Sequence, residues 1–564
     1  MSSPSNPNHS ERPAWEVIAQ QKRKERASKV PREWLLPESV TSNKTSSPIS
    51  LLHSSGLLSQ RELELTSPQK YDATSLLQVL ANEKITSTEL VTAFCKRAAI
   101  AHQLTNCLTE ILFDEAIARA KALDEDFKKT GKTVGPLHGL PITFKDSYNI
   151  KGYDNSIGIT SRCFTPADRN SLLYDILTEY GAIVIAKTAV PQTMLNADTD
   201  SIVFGRTVNP YNRDFGVAGS TGGEGALIAL GGSTLGIGSD GAGSVRMPAA
   251  VNGVVGYKPS GYRLPLDGAR ILGAGVIGTT TFGPVTVTGF LGRSVRDVQF
   301  FARLSADAKP WEKDCFLYPH PWQSLPLPVA SRLRIGVWAS NGFLHLHPPV
   351  ERGLQVAQER LRQAGVELVE FNGPDISDVW ELQKEWTELQ DMSYLRELLS
   401  TEPHTEIVKA TAIITKKTPP PPPTVEYIHS MNARISTLVR AMHEAWNREG
   451  KPLDALLWVT APHTAVPFDK YTYLGFTGLF NVIDWPAMAL PLNMFANKAI
   501  DKKVPISPFN DLDAEIHDLY DEDSFHGLPL AVHLIGRRFE DEKLLVVSEV
   551  VHDIIKSTEH RPKL

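Results

Sequence analysis

Much of what would assign this 564-residue chain quickly is missing from it. It has only four cysteines, Cys95, Cys107, Cys163 and Cys315. They are too few and too scattered for a disulfide framework or a zinc site, which favours a reducing, intracellular compartment. No run of roughly 18 apolar residues occurs, which argues against a membrane span. The N-terminal stretch MSSPSNPNHSERPAWEVIAQQKRKER has no apolar core, which argues against a secretory signal. Basic and acidic residues number 58 and 64, a net charge of −6. That balance gives no electrostatic footprint for nucleic acid or an anionic membrane. No internal repeat is apparent at the spacing of a solenoid or propeller. What remains, 42% hydrophobic and 22% charged, is an ordinary globular composition. The length suits one oversized domain or two or three ordinary ones.

Residues 1–13 are polar and rich in Ser, Pro and Asn, and read as a disordered tail. A helical segment follows over 14–72, and from residue 73 helices and strands alternate. TSTELVTAFCKRAAIAH predicts a helix opening at Thr86, with Glu89 in capping-box spacing. LPITFKD predicts a strand over 141–145. SLLYDILTEYGAIVIAKTAVP predicts a helix stopped at Gly181, then a strand from Ala182 to Ala186. Strand, helix and strand recur over 333–371, and a helix around Ile428–Met442 leads into the strand DALLWV. This alternation implies an α/β sheet with helices on both faces. KKTPPPPPTVE, 416–426, reads as a stiff polyproline II surface connection rather than a ligand for a proline-binding module.

The densest glycine cluster is VAGSTGGEGALIALGGSTLGIGSDGAGSVRMPAA, 217–250. A Walker phosphate loop fails, because no lysine follows these glycines before Lys258. GIGSDG, 236–241, formally matches a dinucleotide fingerprint. Pro248 follows too soon for the required helix, however, and KPSGY at 258–262 lacks the ribose-binding acid. Nucleophilic catalysis is the third reading. Gly241, Ala242 and Gly243 precede Ser244, and small residues there let successive amides converge on a developing oxyanion. Ser244 lacks the flanks of a G-x-S-x-G elbow, and AGSTG around Ser220 is a near miss. Composition and spacing alone do not pick the base.

The block 219–248 resembles the signature of the amidase signature family, whose pattern runs GGSSGGEGALI, a spacer, then G-[TS]-D-x-G-G-S-[IV]-R-x-P. This chain carries GSTGGEGALI and GSDGAGSVRMP. VGPLHGLPITFKD is similar to the family's lysine strand, KTAVPQTM and FGRTVNP to its middle segment, and HGLPLAVHLIGRRFEDEKLL to its C-terminal end. FCKRAAIAHQLTNCLTE and the entry from Trp15 to Trp34 resemble the fungal acetamidase branch. The resemblance spans roughly residues 14–555. It implies one large α/β catalytic domain, 73–564: an amidase signature fold, with a large mixed twisted sheet, helices on both faces and peripheral N-terminal helices.

The resemblance also implies a Ser-Ser-Lys triad that cleaves small aliphatic or aryl amides to carboxylate and ammonia or amine through an acyl-serine. The nucleophile falls on Ser244, the bridging serine on Ser220 and the base on Lys145. The family's oxyanion donors map to the amides of Gly241, Ala242, Gly243 and Ser244, and its acyl-pocket methionine to Met194. Its unusual cis peptide falls between Gly219 and Ser220. No metal or organic cofactor is implied. The partner is a small-molecule amide, with neither nucleic acid nor membrane, and homodimers are common in the family. A lysine can act as base and then acid only when neutral at rest. Its reference pKa near 10.4 must fall by roughly three, about 4 kcal/mol of differential solvation. Asp146 would oppose this if it faced the amine, but alternation along a strand turns it elsewhere. Asp240 and Arg246 read as braces of the loop, and His138 and His533 as core or surface residues. Thr221, Ala242, Ala218 and His533 depart from the family pattern without touching the triad. The alternative is a non-catalytic scaffold or an acyltransferase keeping the same fold.

Overall fold

The computed structural model describes residues 14–43, 45–270, 284–389, 393–402 and 423–556. Its frame is one sheet. The strands are β1 (Leu108–Ile111), β2 (Pro141–Lys145), β3 (Ile183–Thr188), β4 (Leu235–Asp240), β5 (Val255–Lys258), β6 (Val287–Gly292), β7 (Arg334–Val337), β8 (Glu367–Glu370), β9 (Ala455–Trp458), β10 (Ala487–Phe495) and β11 (Pro529–Ile535). They lie in the order β1-β3-β2-β4-β6-β5-β10-β11-β9-β7-β8. β2 runs parallel to β3 and β4, and β7 parallel to β8 and β9, whereas the central pairs are antiparallel. The sheet is therefore mixed, as the resemblance implies.

The central strands are buried along nearly their whole length, which is why PITFK and IVIAKT read as apolar runs rather than alternating ones. Among the described strands only β8, at the edge, leaves its ends exposed. One core cluster runs from Val30 and Trp34 to Val551 and Ile555 and covers both faces of the sheet. Leu51, Leu52 and Leu65 of the N-terminal helical segment belong to this same cluster. Among the described residues no helix is long and apolar enough to cross a membrane.

Element boundaries follow local chemistry. Thr86 caps the helix Ser87–Thr105 by accepting from the Glu89 amide at 3.0 Å. The reciprocal half of the expected capping box is replaced by an ion pair, with the Glu89 carboxylate 2.9 Å from Arg61 Nε. β3 runs to Thr188 rather than Ala186, because Lys187 and Thr188 still pair with β1. Thr424 caps the helix Val425–Trp446, so Val425 and Glu426 are helical rather than part of a polyproline spacer. The rest of that spacer through residue 422, and the expected disordered tail, lie outside the described residues.

Candidate active site

Two neighbouring strands and two tight loops build the site. β2 and β4 are parallel, with Thr143 opposite Gly236 and Phe144 opposite Ile237. One step further along both strands, Lys145 stands beside the C-terminal end of β4. Its Nζ lies 2.9 Å from Ser239 Oγ and 2.7 Å from Ser220 Oγ. Ser220 follows the cis Gly219–Ser220 peptide and leads into the helix Gly222–Ala229. The Thr221 amide donates 3.1 Å to the Ser244 carbonyl and ties the two serine-bearing segments together.

Lys145 has no solvent exposure. Burial lowers its pKa from the ordinary 10.5 to about 7, against the pull of the Asp240 and Glu224 carboxyls. Burial likewise pushes Glu224 up to about 8, with Thr143 Oγ1 2.6 Å from its Oε2. Both neighbouring carboxyls thus oppose the effect of burial on Lys145, and burial still outweighs them. Asp146 turns to the other face of β2. It accepts from Thr109 Oγ1 at 2.9 Å, Ser156 Oγ at 2.9 Å and the Ile157 amide at 2.7 Å, and lies 3.9 Å from Lys187.

The loop after β4 is wrapped around the Asp240 carboxylate. That group accepts from the Gly243 amide at 2.8 Å, the Val245 amide at 3.1 Å and the Arg246 guanidinium at 2.9 and 3.0 Å. Burial opposes the charge, but the Arg246 guanidinium holds Asp240 well below the usual carboxylate range. Arg246 and Asp240 thus brace the loop. His533 sits 3.4 Å from Arg246 Nη1 and is kept neutral by burial and that neighbouring cation.

A cavity of ≈ 230 Å³ opens over this loop. Met194, Ser220, Gly241, Ala242 and Ser244 line it, while Lys145 stands behind Ser220, out of contact with it. A larger groove of ≈ 640 Å³, between the helices Ala73–Ala81 and Val295–Asp307, holds none of these residues, so size alone does not locate the site. Among the described residues no group of three His, Cys, Asp or Glu side chains is placed to hold a metal ion.

One expected residue takes a different part. Gly243 does not line the cavity, and its N–H is already donated to Asp240. The small residue is needed for shape instead. Its φ is +119°, and an added Cβ would lie 2.1 Å from Thr477 Oγ1. Gly243→Ala should therefore cost about 1–3 kcal/mol of stability, read as a lower midpoint in denaturant unfolding; an unchanged midpoint would show that the turn tolerates a side chain.

Sequence reading missed Ser239 and the far wall of the cavity. Ser239 lies inside the glycine-rich block, and the parallel pairing of β2 with β4 was the signal that could have placed it beside Lys145. Trp380, Trp386, Tyr471 and Leu474 form much of the opposite wall. They come from segments with no motif, because a surface that recognises apolar groups needs size and shape rather than fixed spacing.

Comparison with known proteins shows the family. The family profile described as Amidase matches residues 89–545. An amidase of Gibberella moniliformis (strain M3125 / FGSC 7600) is 36% identical over 554 residues, covering 96% of this chain and 99% of the relative. An acetamidase of Emericella nidulans (strain FGSC A4 / ATCC 38163 / CBS 112.46 / NRRL 194 / M139) is 34% identical over 564 residues, covering 96% and 98%. Among solved structures, a fatty acid amide hydrolase superposes with a TM-score of 0.89 at 28% identity, covering 96% of this chain and 95% of that one.

Proposed function

We propose, on the premise that this chain belongs to the amidase signature family and is an amide-hydrolysing enzyme, that Ser244 is its nucleophile, Ser220 its proton relay and Lys145 its base. The observation that carries this reading is the dry Lys145 amine, with a pKa near neutrality, 2.7 Å from Ser220. Ser220 and Ser244 in turn line one cavity.

In the first half-reaction neutral Lys145 takes the proton of Ser220, which takes that of Ser244 as Ser244 Oγ adds to the amide carbonyl. The oxyanion that forms is met by the amides of Gly241, Ala242 and Ser244, with Gly243 kept on Asp240. The Lys145 ammonium then returns the proton through Ser220 to the departing nitrogen. Ammonia or an amine leaves, and an ester on Ser244 remains. Water activated along the same route releases the carboxylate. Met194 lines the cavity and is assigned to the acyl pocket. The substrates are small aliphatic or aryl amides, a reading supported by the acetamidase relative. The free cysteines, three of them buried, support a cytoplasmic location.

Ammonia release from acetamide and benzamide, followed from about pH 5.5 to about pH 9, tests the proposal. Because the base works only when deprotonated, kcat/KM should fall as pH drops through about 7 and level off above it. A flat profile, or one that falls as pH rises through 7, removes Lys145 from the role of base.

A further inference from the structure

We infer that Gln383 is a positioning residue for the oxyanion loop, and that it links the loop to the wall against which substrate packs. This inference rests on the amidase reading above and goes beyond it.

Three successive carbonyls of the loop are each held by a side-chain donor from a distant part of the chain. Asn481 Nδ2 donates to the Asp240 carbonyl at 3.0 Å, Gln383 Nε2 to the Gly241 carbonyl at 2.6 Å and Thr477 Oγ1 to the Ala242 carbonyl at 2.7 Å. A trans peptide is planar, with its C=O and the next N–H pointing in opposite directions. Fixing the Asp240 and Gly241 carbonyls therefore fixes where the Gly241 and Ala242 N–H groups point. Those are two of the proposed oxyanion donors. The third clamp, from Thr477, sets the Gly243 N–H, which is aimed at Asp240.

Gln383 differs from the other two clamps in where it sits. It belongs to the helix Val379–Leu389, and Trp380, Gln383, Lys384 and Thr387 all line the cavity. Positions i, i+3, i+4 and i+7 share one helix face. The residue that orients the Ala242 donor is thus in the middle of the face that meets substrate, so an acyl or amine group packed on Trp380 presses on the element that sets the catalytic amide. Gln383 is 5% exposed, and its donor cannot be replaced by bulk water without cost.

Room for the Gln383 amide is provided by Gly478. A Cβ there would lie 2.2 Å from Gln383 Oε1, and Gly478 itself does not line the cavity. Gly478 is inside the helix Gly475–Val482, where alanine fits the backbone well. Gly478→Ala is therefore an independent way to displace Gln383 without substituting any residue that lines the cavity.

The test uses the full chain. Gln383→Met keeps the volume and removes the donor. It should lower kcat by roughly 10- to 100-fold, with KM changed less than about threefold, because a misaimed oxyanion donor is missed mainly in the transition state. A trifluoromethyl ketone that adds to Ser244 should lose affinity by a similar factor. Gly478→Ala should reproduce part of this loss, and in the Gln383→Met background it should add almost nothing. If Gln383→Met does not fold, as judged by thermal unfolding, Gly478→Ala carries the test alone. Wild-type kcat in the folded variants, or a loss confined to KM, overturns the inference. A wild-type chain that neither releases ammonia nor is labelled at Ser244 by a fluorophosphonate sinks the amidase reading instead, so the two failures are told apart.

Discussion

Ser244→Ala should release no ammonia from any amide that the wild-type enzyme turns over, a loss on the order of a millionfold in kcat, as for the nucleophile of other serine hydrolases. The change removes one hydroxyl from the cavity wall. It leaves the backbone bond from Thr221 to the residue 244 carbonyl and the Asp240-centred loop in place. The variant should therefore fold and unfold like the wild type and bind substrate with little change. Two readouts check this: ammonia release at saturating amide, and the intact mass after treatment with a fluorophosphonate. Wild-type chain should gain one adduct at Ser244, and the variant none. Turnover at the wild-type level in the variant would move the chemistry to another residue. An unlabelled but folded wild-type chain would favour the scaffold alternative.

Removal of the amine should be nearly as damaging, but unevenly so. Lys145→Met keeps a long apolar stem in a site with no solvent exposure and should cost about 10⁴-fold in amide hydrolysis. Ester hydrolysis should suffer less. Both substrates need the proton taken from Ser244, but an alkoxide leaves with less help than an amide nitrogen. The ratio of the two losses, measured on an ester and an amide that share one acyl group, separates the base role from the acid role. Equal losses would argue that Lys145 never returns a proton to the leaving group. The rise of activity through about pH 7 should also disappear in this variant, because the group that titrates there is gone.

The fold was legible where side-chain chemistry repeats with a period or a cap. β2 was read to the residue, because an apolar run bounded by Leu140 and Asp146 leaves no other register. β3 was read short by two residues, because Lys187 and Thr188 look like a strand's exit until β1 is known to lie beside them. The candidate site residues came from resemblance, and the physics around them was only partly legible. Desolvation of Lys145 could be anticipated from LPITF. The upward push on the Glu224 carboxyl could not, because nothing local says that helix Gly222–Ala229 buries it. Gly243 shows the opposite limit. Its type was read correctly as special, but its amide is spent on Asp240, a pairing that depends on the fold of the whole turn. Trp380, Trp386 and Tyr471 stayed invisible because they are separated from Ser244 by more than a hundred positions and meet it only around the cavity.

The sheet order has a consequence for biosynthesis. The three residues proposed as the triad are all in the chain by Ser244, yet Gln383, Thr477 and Asn481 follow far later, and β5 finds one of its two partners only when β10 emerges. A ribosome-bound chain stopped after β6 would carry Lys145, Ser220 and Ser244 with the carbonyls of residues 240–242 unheld. Translation of the second half is thus a built-in delay on ordering the loop after β4, which is clamped only at the end of the chain's own synthesis.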